Sequence, residues 1–552
     1  MMHLEYLIPL TVLIHLLLAP STKVEESFSI QAAHDILVYG TPTTDINTRL
    51  RESYDHLTFP GAVPRSFIGP LLLAGVSQTL VAVLGFHRAQ FVVRAVLGLF
   101  NAGCLVVFAR GVRRAFGGWA GCWFVMLLSS QFHVMFYASR TLPNMFAFGL
   151  TTLAFSFLLP PKEAKEAPRR QRLAITLLVF SAIIFRAELA ILLGTTGLYL
   201  LLTGQTNLIN LIQPFIISSF VALAVSVPID SYFWQKPLWP ELWGFYFNAI
   251  LGSSSDWGVS PWHYYFTSAI PRIILNPYAL LVLIPLAVFN PATSRAARSL
   301  LVPSLLFVAI YSLQPHKETR FIFYVSPPLT ATASLGASTL SLRAAKSTIA
   351  RLMTLALVLS VLATTLASSA MLLFSSLNYP GGDALSHLAD VLANDPRSDV
   401  SVHADVFTCM TGLTLFTTNP YGVPYGSKQP NGVTVRFDKT EDEETLKDPE
   451  FWNSFDYLLV ETGTTPPSGS WETLAVVEGL SGLEILKPRD VDPHDAKVRG
   501  HLVGKGEEVA WLRHWVRLAT GGWWVGPRMV PRIKVLGRRE SSGAKPSGSF
   551  GV

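Results

Sequence analysis

The chain has 552 residues, 50% of them hydrophobic and 14% charged, and its apolar residues gather in runs instead of spreading as they do in soluble domains. Lys plus Arg exceed Asp plus Glu, 43 against 37, for a net charge of +6. The excess sits in short connections and in the C-terminal tail, which marks membrane topology and excludes a reading as a nucleic-acid surface. The composition predicts an α-helical polytopic membrane protein.

Tyr6 to Ala19 is the first apolar run. It is short for a span of about 20 residues, but it lacks a basic flank and a small-x-small cleavage site, so it reads as a retained membrane helix. Further runs follow at Phe67–Phe86, Phe91–Phe108, Trp119–Tyr137, Met145–Leu159, Leu173–Phe185, Leu189–Leu202, Leu208–Val227, Ile273–Phe289, Leu300–Leu313, Phe321–Leu342 and Leu352–Leu377. Together they predict about 11 or 12 crossings. Basic residues concentrate at Arg110/Arg113/Arg114, Lys162 to Arg172, Arg295/Arg298 and Arg343 to Arg351, which the positive-inside rule puts in the cytosol. Loops 20–66 and 228–272, the Gln314–Arg320 turn and everything after Leu377 then lie on the far side. One conflict stands: two runs separate loop 20–66 from Arg110, and two crossings would return the chain to the same face. Either one run between 67 and 108 does not span, or Arg110 to Arg114 break the rule.

After Leu377 the pattern becomes mixed, with a helical stretch at Asp383–Asn394 and short strand-like runs at Val400–Phe407, Val433–Phe437 and Tyr457–Glu461. This predicts three parts: a membrane domain over 1–377, a small lumenal α/β domain over 378–490, and a basic tail over 491–552 whose end is disordered. Trp523-Trp524 would rest at the membrane interface or pack against the domain. Cys104 and Cys122 fall inside apolar runs and Cys409 in a polar region, so no disulfide framework can be read.

Four groups of residues invite chemistry. Loop 20–66 holds Glu25, Glu26, His34, Asp35, Asp45, Glu52, Tyr54-Asp55-His56 and Arg65, and a carboxylate there can serve as general base toward a sugar hydroxyl. The same acidic pair would also suit the positive end of a helix dipole. Gln314-Pro315-His316-Lys317-Glu318-Thr319-Arg320 is a charged turn between apolar helices, able to clamp a lipid phosphate or simply to snorkel at the interface. Arg140, Arg186 with Glu188, and Arg272 are ionisable groups at or within helices, which face a cavity, pair with one another or mark a substrate path. Loop 228–272 is rich in aromatics and reads first as an amphipathic plate on the bilayer, a role compatible with stacking on sugars. No metal-ligand spacing, P-loop or nucleophile elbow occurs.

Several of these stretches, taken in order, resemble the dolichyl-phosphate-mannose-dependent α-mannosyltransferases of the endoplasmic reticulum (ER). They are Lys23-Val24-Glu25-Glu26-Ser27-Phe28, Tyr54-Asp55-His56-Leu57-Thr58-Phe59-Pro60-Gly61 with Val63-Pro64-Arg65, Gln131-Phe132-His133, Arg140-Thr141-Leu142-Pro143-Asn144, and His316-Lys317-Glu318 followed by Arg320-Phe321. The likeness runs from about residue 20 to 335, with a weaker echo at Val402-His403-Ala404-Asp405-Val406. It is greatest to the α-1,6-transferring branch, which extends the lipid-linked oligosaccharide Man(7)GlcNAc(2)-PP-dolichol. Members that assemble glycosylphosphatidylinositol (GPI) share the His-Lys-Glu turn.

The resemblance implies a GT-C membrane bundle with a catalytic first lumenal loop in the ER membrane. It also implies dolichyl phosphate mannose as donor without a separate cofactor, a dolichol-diphosphate oligosaccharide as acceptor, and inversion at the anomeric carbon. Many relatives carry His-Pro-Asp-Glu where this chain has Lys23-Val24-Glu25-Glu26, so Glu25 takes the place of their catalytic Asp and Glu26 is its competitor as base. His316, Lys317 and Arg320, assisted by Arg140 and Arg186, are expected at the donor phosphate, and Tyr54, Asp55, His56 and Arg65 at the acceptor. Two other classes fit ionisable residues among helices: a lipid or sugar transporter, and a non-catalytic scaffold subunit. The chain shows no second copy of the acidic loop or of the His-Lys-Glu turn, as a transporter built from repeats would.

Overall fold

The computed structural model describes residues 3–61, 63–424, 427–428, 433–490 and 501–539. It divides into two compact units, Met1–Pro20 with Glu25–Ser375, and Ser21–Val24 with Ser376–Val552.

The first unit is helical. Among the described residues four helices are long and apolar enough to cross a bilayer: Phe86–Phe116, Leu208–Trp234, Ser294–Tyr311 and Thr348–Ser376. A fifth candidate, Tyr265–Ile274 with Ala279–Phe289, is bent by 111°. The break has a local cause: Leu275 takes a left-handed φ of 56° and Pro277 follows Asn276, whose side chain accepts from the Ala279 amide at 2.9 Å. Freed backbone at this depth is tolerated because it is satisfied inside protein. The run at Ile273–Phe289 therefore contains the break, taking in the end of one half and the whole of the other. Shorter apolar helices are Leu4–Leu18, Ile68–Leu84, Gly118–Ser129, Pro143–Leu158 and Leu189–Leu202. The small residues of Ser326–Arg343 let that helix sit in the centre, buried nearly all round; a Cβ on Gly336 would stand 2.1 Å from the Leu283 carbonyl oxygen.

The topological conflict resolves at Ile68–Leu84. Phe67 at its start packs edge-on against Phe28, and Phe86 beyond its end packs against His34, so both ends touch the single helix Ser27–Tyr39. This run adds no crossing. Ala89–Phe116 then makes one: near its start the Arg94 guanidinium donates to the Ala19 carbonyl at 3.3 Å, and near its end Arg110 meets Glu5 at 3.0 Å. The first helix thus runs antiparallel to it, and Arg110, Arg113 and Glu5 share the end of the bundle opposite loop 20–66. The expected loop 228–272 is shorter than read, because Leu208–Trp234 continues through Pro228 and a helix resumes at Tyr265. Trp243, Trp257 and Trp262 between them are exposed.

The second unit is α/β. Its strands are β1 (Asp399–Ala404), β2 (Ser427–Lys428), β3 (Thr434–Asp438), β4 (Tyr457–Glu461), β5 (Trp471–Leu486), β6 (Leu502–Val503) and β7 (Trp524–Arg538). Among the described residues they form a seven-stranded sheet in the order β2-β3-β1-β4-β7-β5-β6. Val400, Val402, Leu459, Val477 and Val535 pack with Leu385 and Leu388 of the helix Pro380–Leu392 to make its core. The expected division at 490 is corrected: β7 lies between β4 and β5, and the helix Lys505–Ala519 packs on the same unit, so residues 501–539 complete the domain and are no tail. The expectation of disorder in the last dozen residues falls outside the described residues.

Candidate active site

Val24–Glu26 forms a single 3-10 turn that opens the helix Ser27–Tyr39. The two carboxylates of this turn have opposite surroundings. Glu26 is 2% exposed, with Oε1 2.8 Å from Arg140 Nη1 and Oε2 accepting the Thr141 amide at 3.2 Å. Arg94 approaches Oε2 at 4.0 Å. Glu25 is exposed, and among the described residues no side chain pairs with it.

The stretch Ser139–Asn144 is the cradle of Glu26. Arg94 donates through Nε to the Ser139 carbonyl at 3.3 Å, Arg140 lies over the Phe136 ring, and Pro143 starts the next helix at a position where a missing amide hydrogen costs nothing. Arg140, expected at a phosphate, is thus committed to Glu26. Arg94 was not singled out from sequence, although a charge inside the run Phe91–Phe108 is the signal that would have found it.

The stretch Tyr54-Asp55-His56 is held from inside. Asp35 is fully buried, pairs with His34 at 3.0 Å and accepts the Asp55 amide at 2.9 Å; burial pushes its carboxyl above the usual range, against the pull of His34. The Tyr54 hydroxyl donates to the Gly40 carbonyl, and His56 Nε2 donates to the Phe233 carbonyl at 2.9 Å. His56 sits among Phe67, Trp234 and Tyr54, and burial lowers its pKa. Tyr54 and His56 therefore do not line a pocket as expected: their rings fill the core beneath the loop, and of the three only Asp55 is partly exposed. Asp230, also missed from sequence, accepts the Phe67 amide at 2.7 Å and the Ser66 hydroxyl at 3.1 Å, which fixes the segment just after Arg65.

Arg65, expected with Tyr54 to His56, lies instead near Arg186 and Arg320, two of the residues expected at the donor phosphate. A pocket is lined by Arg65, Ser66 and Glu241, by Ser29 from the first turn after Glu26, and by Pro143 after the Glu26 cradle. Burial, with Arg186 and Arg320 nearby, pushes the Arg65 guanidinium down to about 10, against the pull of Glu241 and Glu318. Arg186 and Arg320 both lie against the Phe321 ring, at 5.1 and 5.8 Å. Each has its own carboxylate: Arg186 meets Glu188 at 2.8 Å, and Arg320 binds Glu318 through Nε at 2.6 Å and Nη2 at 2.9 Å. Arg186 follows a π-helical turn, Ser181–Phe185, the kind of bulge that re-aims a side chain at functional sites. Glu188 in turn accepts from the Tyr324 hydroxyl at 3.3 Å, and Tyr324 from Asn144 at 2.9 Å, tying the Arg140–Asn144 motif to the cluster. Glu241, another residue not singled out, accepts the Ala187 amide at 2.6 Å, and burial pushes its carboxyl up to about 8 despite Arg186.

The His316–Glu318 turn has a mixed role. His316 stands between the Gly258 carbonyl at 3.1 Å and Glu318 at 3.2 Å. Burial works to raise the Glu318 carboxyl, but the Arg320 charge and the bonds from His316 and Arg320 outweigh it and hold it low. Lys317 does not point at a ligand: it is 7% exposed and donates to the carbonyls of Gln314 at 2.6 Å, Ser260 at 2.9 Å and Pro315 at 3.4 Å, and burial lowers its pKa. It pins two loops together.

The geometry offers an exposed carboxylate on the turn just before Ser29, one of the pocket-lining residues, with Arg65 and Glu241 also in that lining and with Arg186 and Arg320 near Arg65. Residues 6–407 match the model of the Alg9-like mannosyltransferase family. The Dol-P-Man:Man(7)GlcNAc(2)-PP-Dol alpha-1,6-mannosyltransferase of Saccharomyces cerevisiae is 33% identical, over 85% of this chain and 86% of its own. The enzyme of the same name from Arabidopsis thaliana is 33% identical over 90% and 93%. GPI mannosyltransferase 3 of Drosophila melanogaster is 25% identical over 51% of the chain. Among solved structures, ArnT from Cupriavidus metallidurans bound to undecaprenyl phosphate superposes with a TM-score of 0.54 at 14% identity, over 86% of this chain and 95% of its own. That likeness shows the GT-C fold.

Proposed function

The chain belongs to the Alg9-like mannosyltransferase family, and from that premise we propose that it transfers mannose from dolichyl phosphate β-D-mannose to Man(7)GlcNAc(2)-PP-dolichol through an α-1,6 linkage. The observation that carries the chemistry is the inequality within the acidic pair. Glu26 is spent on Arg140 and Thr141, whereas Glu25 is exposed on the same turn.

Glu25 is the base. Its carboxylate takes the proton of the acceptor's 6-hydroxyl as that oxygen bonds to the donor's anomeric carbon from the face opposite the phosphate. The bond from that carbon to the phosphate oxygen breaks, and dolichyl phosphate leaves with the electron pair. A β-linked donor thereby gives an α-linked product. Such a leaving group needs charge neutralisation and not a proton. Arg65, Arg186 and Arg320 supply it, with His316 at the rim, while Lys317 shapes the turn that presents Arg320. Preformed ion pairs hold Arg186 on Glu188 and Arg320 on Glu318 before the donor arrives. Arg140 acts one step back, by fixing Glu26 and through it the turn that carries Glu25. Asp55 faces the acceptor.

The catalytic end faces the lumen of the endoplasmic reticulum. Arg110 and Arg113, at the opposite end of the bundle beside Glu5, support this through the positive-inside rule. GPI-assembling relatives match only about half of the chain, which favours the N-glycan substrate. Membranes from cells lacking this protein test the assignment: they accumulate the heptamannosyl lipid-linked oligosaccharide, and a normal profile overturns it.

A further inference from the structure

The helix Lys505–Ala519 is built inside out. Val509, Arg513 and Val516, spaced four and three apart, face the sheet. Val509 and Val516 pack with Trp524, Met529, Leu480 and Leu486, and Arg513, 1% exposed, reaches Glu484 at 2.9 Å. The opposite face, Trp511, Trp515 and Leu518 with the same spacing, is 65%, 53% and 62% exposed, and Leu512 lies beside it. A soluble helix puts its apolar stripe inward and its charges outward. Here a charge is inside and two tryptophans are outside.

The position of this helix in the chain says what meets that face. Lys505, its first residue, donates from Nζ to the carbonyl of Ser376 at 2.7 Å. Ser376 is the last residue of Thr348–Ser376, a helix long and apolar enough to cross the bilayer, and the last carbonyls of a helix take their partners from outside its own ladder. The next residue, Leu377, packs in the cluster beneath Val509 and Val516. The helix therefore starts where a membrane helix ends. Trp523 at the following turn is also exposed, whereas Trp524 is buried, so the Trp523-Trp524 pair divides between the two roles open to it. His514 and Arg517 flank the apolar face.

We infer that Lys505–Ala519 lies in the headgroup region of the bilayer with Trp511, Trp515 and Leu518 in the acyl boundary, and so seats the α/β domain on the membrane surface. Tryptophan and arginine side by side are suited to that boundary. The occupant is lipid; a second copy or another protein is the alternative that the test must separate.

Full-length protein is reconstituted in phosphatidylcholine vesicles with Cys104, Cys122 and Cys409 replaced and one spin-labelled cysteine introduced, as Trp515→Cys, Leu518→Cys or, for comparison, Glu443→Cys, whose native side chain is 90% exposed on another element of the domain. At positions 515 and 518 collisions with lipid-soluble oxygen exceed those with an aqueous nickel chelate, and at 443 the order reverses. Nickel preference at 515 and 518 overturns the inference. Shielding from both probes overturns it too, since protein then covers the face. A second measurement keeps the native cysteines: brominated lipids quench tryptophan emission, and the Trp511→Phe/Trp515→Phe protein loses quenchable emission that Trp471→Phe retains. Equal quenching in the two would overturn the inference as well.

Discussion

Glu26 Oε1 lies 2.8 Å from Arg140 Nη1 in a site where both side chains are 3% exposed, while Glu25, one residue earlier, stays open. Removing one partner of a buried pair strands the other charge, at a cost of about 3–5 kcal/mol. Glu26→Ala and Arg140→Ala should each lower the unfolding temperature in detergent. Replacing both with Met should restore part of it, because only Arg94, 4.0 Å from Glu26 Oε2, then loses a carboxylate. A Glu26→Ala protein as stable as the parent would remove the structural role assigned to this residue.

Glu25 predicts the reverse pattern. An exposed side chain with no partner contributes little to stability, within about 0.5 kcal/mol, but loss of a general base lowers turnover by roughly 100- to 10,000-fold. Glu25→Gln should unfold with the parent, bind dolichyl phosphate mannose as before and fail in transfer. Full turnover by Glu25→Gln, with transfer lost in Glu26→Gln, would move the base to Glu26.

The arginine cluster sets a pH dependence through Glu241. Burial raises its carboxyl to about 8 from an ordinary 4.5, so the folded state binds the proton more tightly than the unfolded one. This contribution to stability is fully present below 4.5 and is lost as pH rises through about 8. The charge that then appears stands beside Arg65 and Arg186 and competes with the donor phosphate. The KM for donor should climb above pH 8, and Glu241→Gln should flatten that rise and gain stability over the parent there. A donor KM with the same alkaline rise in Glu241→Gln would discard the idea.

Truncating an arginine tests the same cluster directly. Removing one preorganised donor to a developing negative charge typically costs roughly 100- to 1000-fold in kcat. Arg65→Ala and Arg186→Ala should fall in that range while the acceptor KM stays put. An acceptor KM that rises in Arg65→Ala with kcat preserved would return Arg65 to the acceptor side, where the family resemblance first put it.

What the sequence disclosed follows from how local each signal is. The spans were legible because lipid demands a length of apolar chain wherever it is crossed. Even so, Phe67–Phe86 has a span's composition and lies along Ser27–Tyr39 without crossing, since hydropathy records burial and not direction. Glu25 and Glu26 were legible as a pair, but their division of labour was not, because Arg94, Arg140 and Thr141 reach Glu26 from 68 to 115 residues away. Tyr54 and His56 looked like a polar recognition patch, although their rings serve as core and their polar atoms find backbone carbonyls. β7 was misread as tail for a specific reason. Pro527 and Pro531 argue against a central strand, and β7 accommodates both opposite an irregular stretch of β5, where Glu478 faces Pro531.

Lys317 provides the sharpest separation between charge and architecture. From the sequence it resembles a phosphate ligand, yet its ammonium group donates to the carbonyls of Gln314, Ser260 and Pro315 and is almost buried. Three carbonyls around one ammonium satisfy all its hydrogens, so a phosphate could recruit it only by breaking the join between the turn and the segment at Gly258–Ser260. The bonds say that Lys317 acts through geometry, by holding the loop from which Glu318 presents Arg320. Lys317→Met keeps the stem and removes the donors. It should increase amide exchange at residues 258–262 and 314–318 in the absence of any donor lipid, and activity should fall with that loosening. A variant whose exchange is unchanged while donor affinity drops would show instead that the ammonium group meets the phosphate itself.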